Sequence, residues 1–154
     1  RERRITRRAL GFLLAASLSL PAYAHDEGHG PKLSDSGKMG GVITAVILAK
    51  EAKLGPKAAL LYKAELTRSE DRTVRVYLYD KELKPLDPAR FGKSAKAIVE
   101  VIRKKKVTRT PFTLTLKDGA LTGQAPKPAG KPFNIDVLLK EGDKELLAAF
   151  DNLD

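Results

Sequence analysis

The chain has 154 residues, 29 of them Lys or Arg and 19 Asp or Glu, for a net charge of +10, and it contains no Cys. That is the length of one domain, and the missing thiols exclude a disulfide-stapled scaffold, a cysteine zinc site and a cysteine nucleophile. With 42% hydrophobic and 31% charged residues the composition is that of a folded globular chain.

Arg1, Arg3, Arg4, Arg7 and Arg8 precede an apolar run, Ala9 to Leu20, that ends in Pro21-Ala22-Tyr23-Ala24. A basic start, a short apolar stretch and a small-x-small exit predict a secretory signal peptide over residues 1–24 with cleavage after Ala24, and hence a periplasmic or secreted protein. Twelve helical residues span roughly 18 Å, short of a hydrocarbon core of about 30 Å, so no stable transmembrane anchor is expected after cleavage. Thr6-Arg7-Arg8 matches a twin-arginine export motif in part, and the Ala9-Leu10-Gly11 that follows fits it poorly. The export route, general or twin-arginine, stays open. Cleavage removes five Arg and one Glu, leaving 24 basic and 18 acidic side chains, net +6.

Residues 25–41, HDEGHGPKLSDSGKMGG, carry five Gly and hardly any large apolar side chain, a composition that predicts a flexible arm. Both histidines of the protein, His25 and His29, lie there beside Asp26 and Glu27. After cleavage His25 is the N-terminal residue, so its amine and ring nitrogen can chelate one ion, with the carboxylates or His29 completing a Cu(II) or Zn(II) site. The competing reading is a polar leader with no ligand. Met39 is the only Met, too little for a thioether Cu(I) site.

From Val42 the pattern changes to short runs of Val, Ile, Leu, Tyr and Thr separated by Gly, Pro and Asp. Val42 to Ala49 is the first. Leu60-Tyr62-Ala64-Leu66 and Val74-Val76-Leu78 alternate with polar neighbours around a Ser69 to Arg72 turn, predicting a hairpin. Asp87-Pro88 reads as a cap and first-turn proline of one helical turn. Ala95 to Arg103 fits both periods, and its Val and Ile content favours a strand. Phe112 to Lys117, Asp118-Gly119 and Ala120 to Thr122 make another hairpin, as do Phe133 to Lys140 and Lys144 to Phe150. Pro126 to Pro132 is too rich in proline for a central strand and is expected to cross between sheets. The expectation is an all-β, single-domain antiparallel β-sandwich of about eight strands over residues 42–154.

No nucleophile with a histidine base is available beyond residue 29, so a hydrolase or oxygenase is not expected. Asp80, Glu82 and Asp87 cluster near a turn, where capping is the simpler role. Tyr62, Tyr77 and Tyr79 offer either an aromatic platform for a sugar or peptide, or packing. The basic run Lys93, Lys96, Arg103, Lys104, Lys105, Lys106 and Arg109 is opposed only by Glu100. It suits an anionic polymer, a lipid headgroup or an acidic envelope protein, or else a solvated hairpin turn or charged edge. Nucleic acid is not expected as a partner of an exported protein.

The short His-bearing leader, Gly40-Gly41-Val42, Val76 to Asp80 with Lys84-Pro85-Leu86, Asp118 to Gly123 and Ala148-Ala149-Phe150 together resemble a group of small periplasmic β-rich proteins associated with heavy-metal efflux systems. The resemblance spans most of residues 40–150 and implies a non-enzymatic accessory role beside an efflux partner. In that group a His commonly precedes the Gly-Gly pair, where this chain has Met39, which weakens the implied metal handling.

Overall fold

The computed structural model describes residues 30–154, so the expected signal peptide and His25, Asp26, Glu27 and His29 lie outside the described residues. Eight strands form: β1 Val42–Leu48, β2 Tyr62–Arg68, β3 Thr73–Tyr79, β4 Ser94–Arg103, β5 Lys106–Lys117, β6 Ala120–Gln124, β7 Phe133–Glu141 and β8 Lys144–Leu153. Two 3₁₀ segments, Ala49–Lys57 and Pro88–Phe91, join β1 to β2 and β3 to β4. Among the described residues no helix is long and apolar enough to cross a membrane.

All ladders are antiparallel, in the order β1-β2-β3-β6-β5-β4-β7-β8. The expected β-sandwich is corrected here, because β8 returns to β1, pairing Val46 with Ala148 and Leu48 with Leu146, and closes the sheet into a barrel. Alternating side chains are common to both architectures, since each has one dry and one wet face. What separates them is whether the outer strands find each other, and that depends on register, not on pattern. Gly123 marks a tight point elsewhere in the wall, where β6 meets β5: a Cβ there would collide with the Thr113 carbonyl oxygen.

The alternation fills the interior as the sequence predicts. Val74, Val76 and Leu78 point inward from β3, Ala97, Val99 and Val101 from β4, and Ile135, Val137 and Leu139 from β7, joined by Leu114, Leu121, Leu146 and Phe150. Burying each such aliphatic or aromatic group stabilises the fold by about 1.5–3 kcal/mol.

The turns sort into two ends. One end holds both 3₁₀ segments and the β5–β6 and β7–β8 turns, and Phe91 plugs it. The other holds the β2–β3 turn, the β4–β5 turn, the end of β8 and residues 125–132, which link β6 to β7 past the β5–β4 hairpin within the one closed sheet, not between two sheets as the proline content suggested. Asp87 caps the Pro88–Phe91 turn by accepting the Ala89 N–H at 3.0 Å.

Residues 30–41 carry no strand, yet they are laid against the outside of the barrel. Gly30 donates to the Gly55 carbonyl at 2.9 Å. Leu33 packs on a second apolar cluster of Ala45, Ile47, Leu147 and Ala149, and Asp35 pairs with Lys63 at 3.0 Å. These contacts lay residues 30–41 of the expected arm along the barrel, and residues 25–29 lie outside the described residues.

Candidate functional site

The seven cations that the sequence groups together are divided by the fold. β4 and β5 form one long hairpin in which Arg103 faces Lys106 and Glu100 faces Arg109. Lys104 and Lys105 are its two turn residues, with φ of 50° and 69°. Two successive residues at positive φ define the tight turn that suits the twist of a hairpin and that Asn-Gly adopts with least strain. Lysine there costs about 1–2 kcal/mol per residue. The turn therefore carries two charges in a conformation its side chains disfavour.

Arg103, Lys104, Lys105 and Lys106 thus gather at the hairpin tip, all exposed. No ion pair engages them among the described residues. Gly130 of the neighbouring crossing segment leaves room for Arg103, since a Cβ there would come within 2.6 Å of its Nη1. Lys127 and Lys131 of that segment are also exposed. The tip bears two apolar side chains, Ile102 and Val107, which face each other across the strands at 38% and 37% exposure.

Arg109 belongs to a different environment. Its guanidinium pairs with the fully buried Glu100 and lies 4.0 Å from Asp136, while Asn134 donates to Glu100 at 3.3 Å. Lys93 and Lys96 lie at the other end of β4. Lys96 and Arg103 are seven residues apart in the strand, roughly 23 Å. The cluster that the fold brings together is therefore Arg103 to Lys106.

β5 pairs with β6 only over Thr115 to Lys117, so its earlier part presents an edge. Leu116 donates to the Lys93 carbonyl, which by the alternation of the ladder turns the backbone of Val107, Arg109 and Pro111 away from β4. Pro111 has no N–H to offer there, and the nearby charges further discourage strand addition.

Other candidates resolve into structural roles. Asp80 accepts the N–H groups of Glu82 and Lys84, both at 2.9 Å, so it organises its turn. The three tyrosines form no platform. Tyr77 and Tyr79 face outward from β3, whereas Tyr62 packs at the plugged end with its ring edge-on to Phe91 at 5.2 Å. The Tyr62 hydroxyl donates to Glu141 at 2.8 Å, and Arg90 reaches both the Tyr62 oxygen at 2.9 Å and Glu141 at 3.0 Å. Burial and the Glu141 carboxylate together raise the Tyr62 pKa.

Sequence reasoning missed Glu65. It points outward between Ala64 and Leu66 yet is fully buried. Its carboxylate accepts the backbone N–H groups of Lys38, Met39 and Gly41 at 3.0, 2.8 and 2.7 Å, and the Tyr79 hydroxyl at 2.7 Å. Burial first, and then this hydrogen bond to a carboxylate, raises the Tyr79 pKa strongly. The signal in the sequence was one acidic residue among the half-buried positions of a strand, indistinguishable from a solvated glutamate until its partners are placed.

Among the described residues no group of three or more His, Asp or Glu side chains is placed to hold a metal. Comparison with protein families, with characterised proteins and with solved structures finds no match to this chain.

Proposed function

We propose that the protein is an exported, non-enzymatic binding module of the cell envelope, which docks through the basic end of its barrel onto an anionic polymer or an acidic protein surface. The observation that carries this reading is the β4–β5 turn, which holds Lys104 and Lys105 at positive φ between Arg103 and Lys106. Strained, exposed like charges without internal partners suit an external ligand better than they suit folding. Six cations on the tip and the crossing segment beside it, counting Lys127 and Lys131, supply the field, while Glu70, Asp71 and Asp154 sit on the other turns of the same end.

The test is association with a soluble polyanion such as poly-glutamate at increasing salt. Binding weakens as salt rises, because exposed charges are screened over about 8–10 Å at physiological ionic strength, and neutralising Arg103, Lys104, Lys105 and Lys106 to Gln removes most of it. Binding that survives this replacement unchanged would refute the reading.

A second reading is capture of Cu(II) or Zn(II) by His25, Asp26, Glu27 and His29, in the service of an efflux partner. It draws support from the chelating pattern of those residues and from the fixed start of the neighbouring segment, where Gly30 is bonded to Gly55. Replacing His25 and His29 by Ala abolishes metal binding on this reading and leaves the barrel folded. A double variant that binds metal like the parent excludes it.

A further inference from the structure

Where β4 and β7 part company the barrel wall opens. Their ladder runs from Glu100–Asn134 to Lys96–Leu138 and stops, although β4 begins at Ser94 and β7 continues to Glu141. The opening is a cleft of about 820 Å³ at the plugged end, within the usual range of ligand pockets, about 300–1,000 Å³. Its walls include Lys93, Lys96 and Lys140 against one carboxylate, Glu145. On the outer face of the sheet, where Lys96 also points, its apolar lining is Pro111 and Leu138, while Phe91 and Phe112 belong to the core behind it. No ion pair engages the three lysines among the described residues.

The backbone adds to this. Even-numbered residues of β4 turn their polar groups toward β7, since Leu116 bonds to Lys93 and thereby sets the odd ones toward β5. Had the ladder gone on, Ser94 and Lys140 would have been its next bonded pair. Their N–H groups are left outside that ladder, in the lining that also includes Lys93, Lys96 and Lys140. The unpaired stretch is about three residues, or roughly 10 Å, too short for a peptide to join as a strand, so the occupant is a small molecule.

We infer that this cleft is a binding site for an amphiphilic oxyanion, a carboxylate or phosphate monoester carried on an apolar body, with the head held by Ser94, Lys93, Lys96 and Lys140 and the tail on Pro111 and Leu138. The site lies at the opposite end of the barrel from the basic tip and does not depend on the docking role.

The probes are dodecanoate and dodecyl phosphate, each below its micellar concentration, with dodecyltrimethylammonium as the cationic control, titrated into the full protein while backbone amide shifts are followed by NMR. The expected result is saturable binding of at least one anion, with the largest shifts at Ser94 and Lys140. The better binder identifies the head as carboxylate or phosphate. Replacing Lys93, Lys96 and Lys140 by Gln lowers affinity by about tenfold or more, whereas Lys104→Gln with Lys105→Gln leaves it unchanged. These exposed side chains can be replaced without touching the core. Equal binding of the cationic control, equal binding by the triple variant, or shifts centred away from the cleft would each overturn the assignment.

Discussion

Glu65 illustrates how one side chain can secure a segment that composition alone would leave loose. Three backbone N–H groups and a phenol converge on a carboxylate that has no access to water. Hydrogen bonds to an ionised group contribute about 1.5–3 kcal/mol, and stranding their donors costs a comparable amount. Glu65→Ala should therefore lower stability by about 2–4 kcal/mol and speed amide exchange at Lys38, Met39 and Gly41. Denaturant unfolding and hydrogen exchange measure the two effects, and a variant with parental exchange there contradicts the clamp. The same carboxylate affects the alkaline limb. Tyr79 and Tyr62 both have raised pKa values in the fold. Their neutral phenols therefore add stability that is fully present below the ordinary value of 10.0 and is lost as pH rises through the folded values. Ultraviolet titration of tyrosinate should show two tyrosines ionising above 10.0, one lost in Tyr62→Phe and the other in Tyr79→Phe. On the acid side burial works to raise the Glu141 pKa, but bonds from Tyr62 and Arg90 outweigh it and the value is lowered. That contribution is present above the ordinary 4.5 and fades as pH falls through the folded value.

At the scale of elements, the β4–β5 hairpin sets folding against charge. Replacing Lys104-Lys105 by Asn-Gly should stabilise the barrel by about 1–2 kcal/mol, since both positions adopt left-handed backbone. The same change removes two cations from the tip and should weaken polyanion binding. Thermal unfolding and a binding titration on one variant test both halves; a variant that is less stable than the parent contradicts the strain argument. The strands were readable in advance because period-two alternation is a local property. Phe112 to Lys117 and Val74 to Leu78 show it cleanly, and both lie in strands. β5 starts earlier than its pattern suggested, at Lys106, because Lys106 to Pro111 carries mostly polar residues on both faces and is held by pairing with β4 alone. The 3₁₀ segment after β1 left no periodic trace, since Gly55 and Pro56 interrupt it.

For the whole molecule, neither closure nor the distribution of charge was legible. Whether β8 meets β1 is decided by three residue pairs at a seam, and no alternation encodes it. In the same way, Lys93 to Arg109 reads as one basic run, yet the hairpin sends its cations to both ends and ties Arg109 to Glu100. What results is a barrel with a basic, strained tip at one end and a plugged, cationic cleft at the other. The docking claim is tested most directly by measuring the salt dependence of poly-glutamate binding for the parent and for the variant with Gln at Arg103, Lys104, Lys105 and Lys106. The account predicts that affinity falls steeply with salt in the parent and that the variant loses most of both the affinity and the slope. Equal affinities and equal slopes would contradict it.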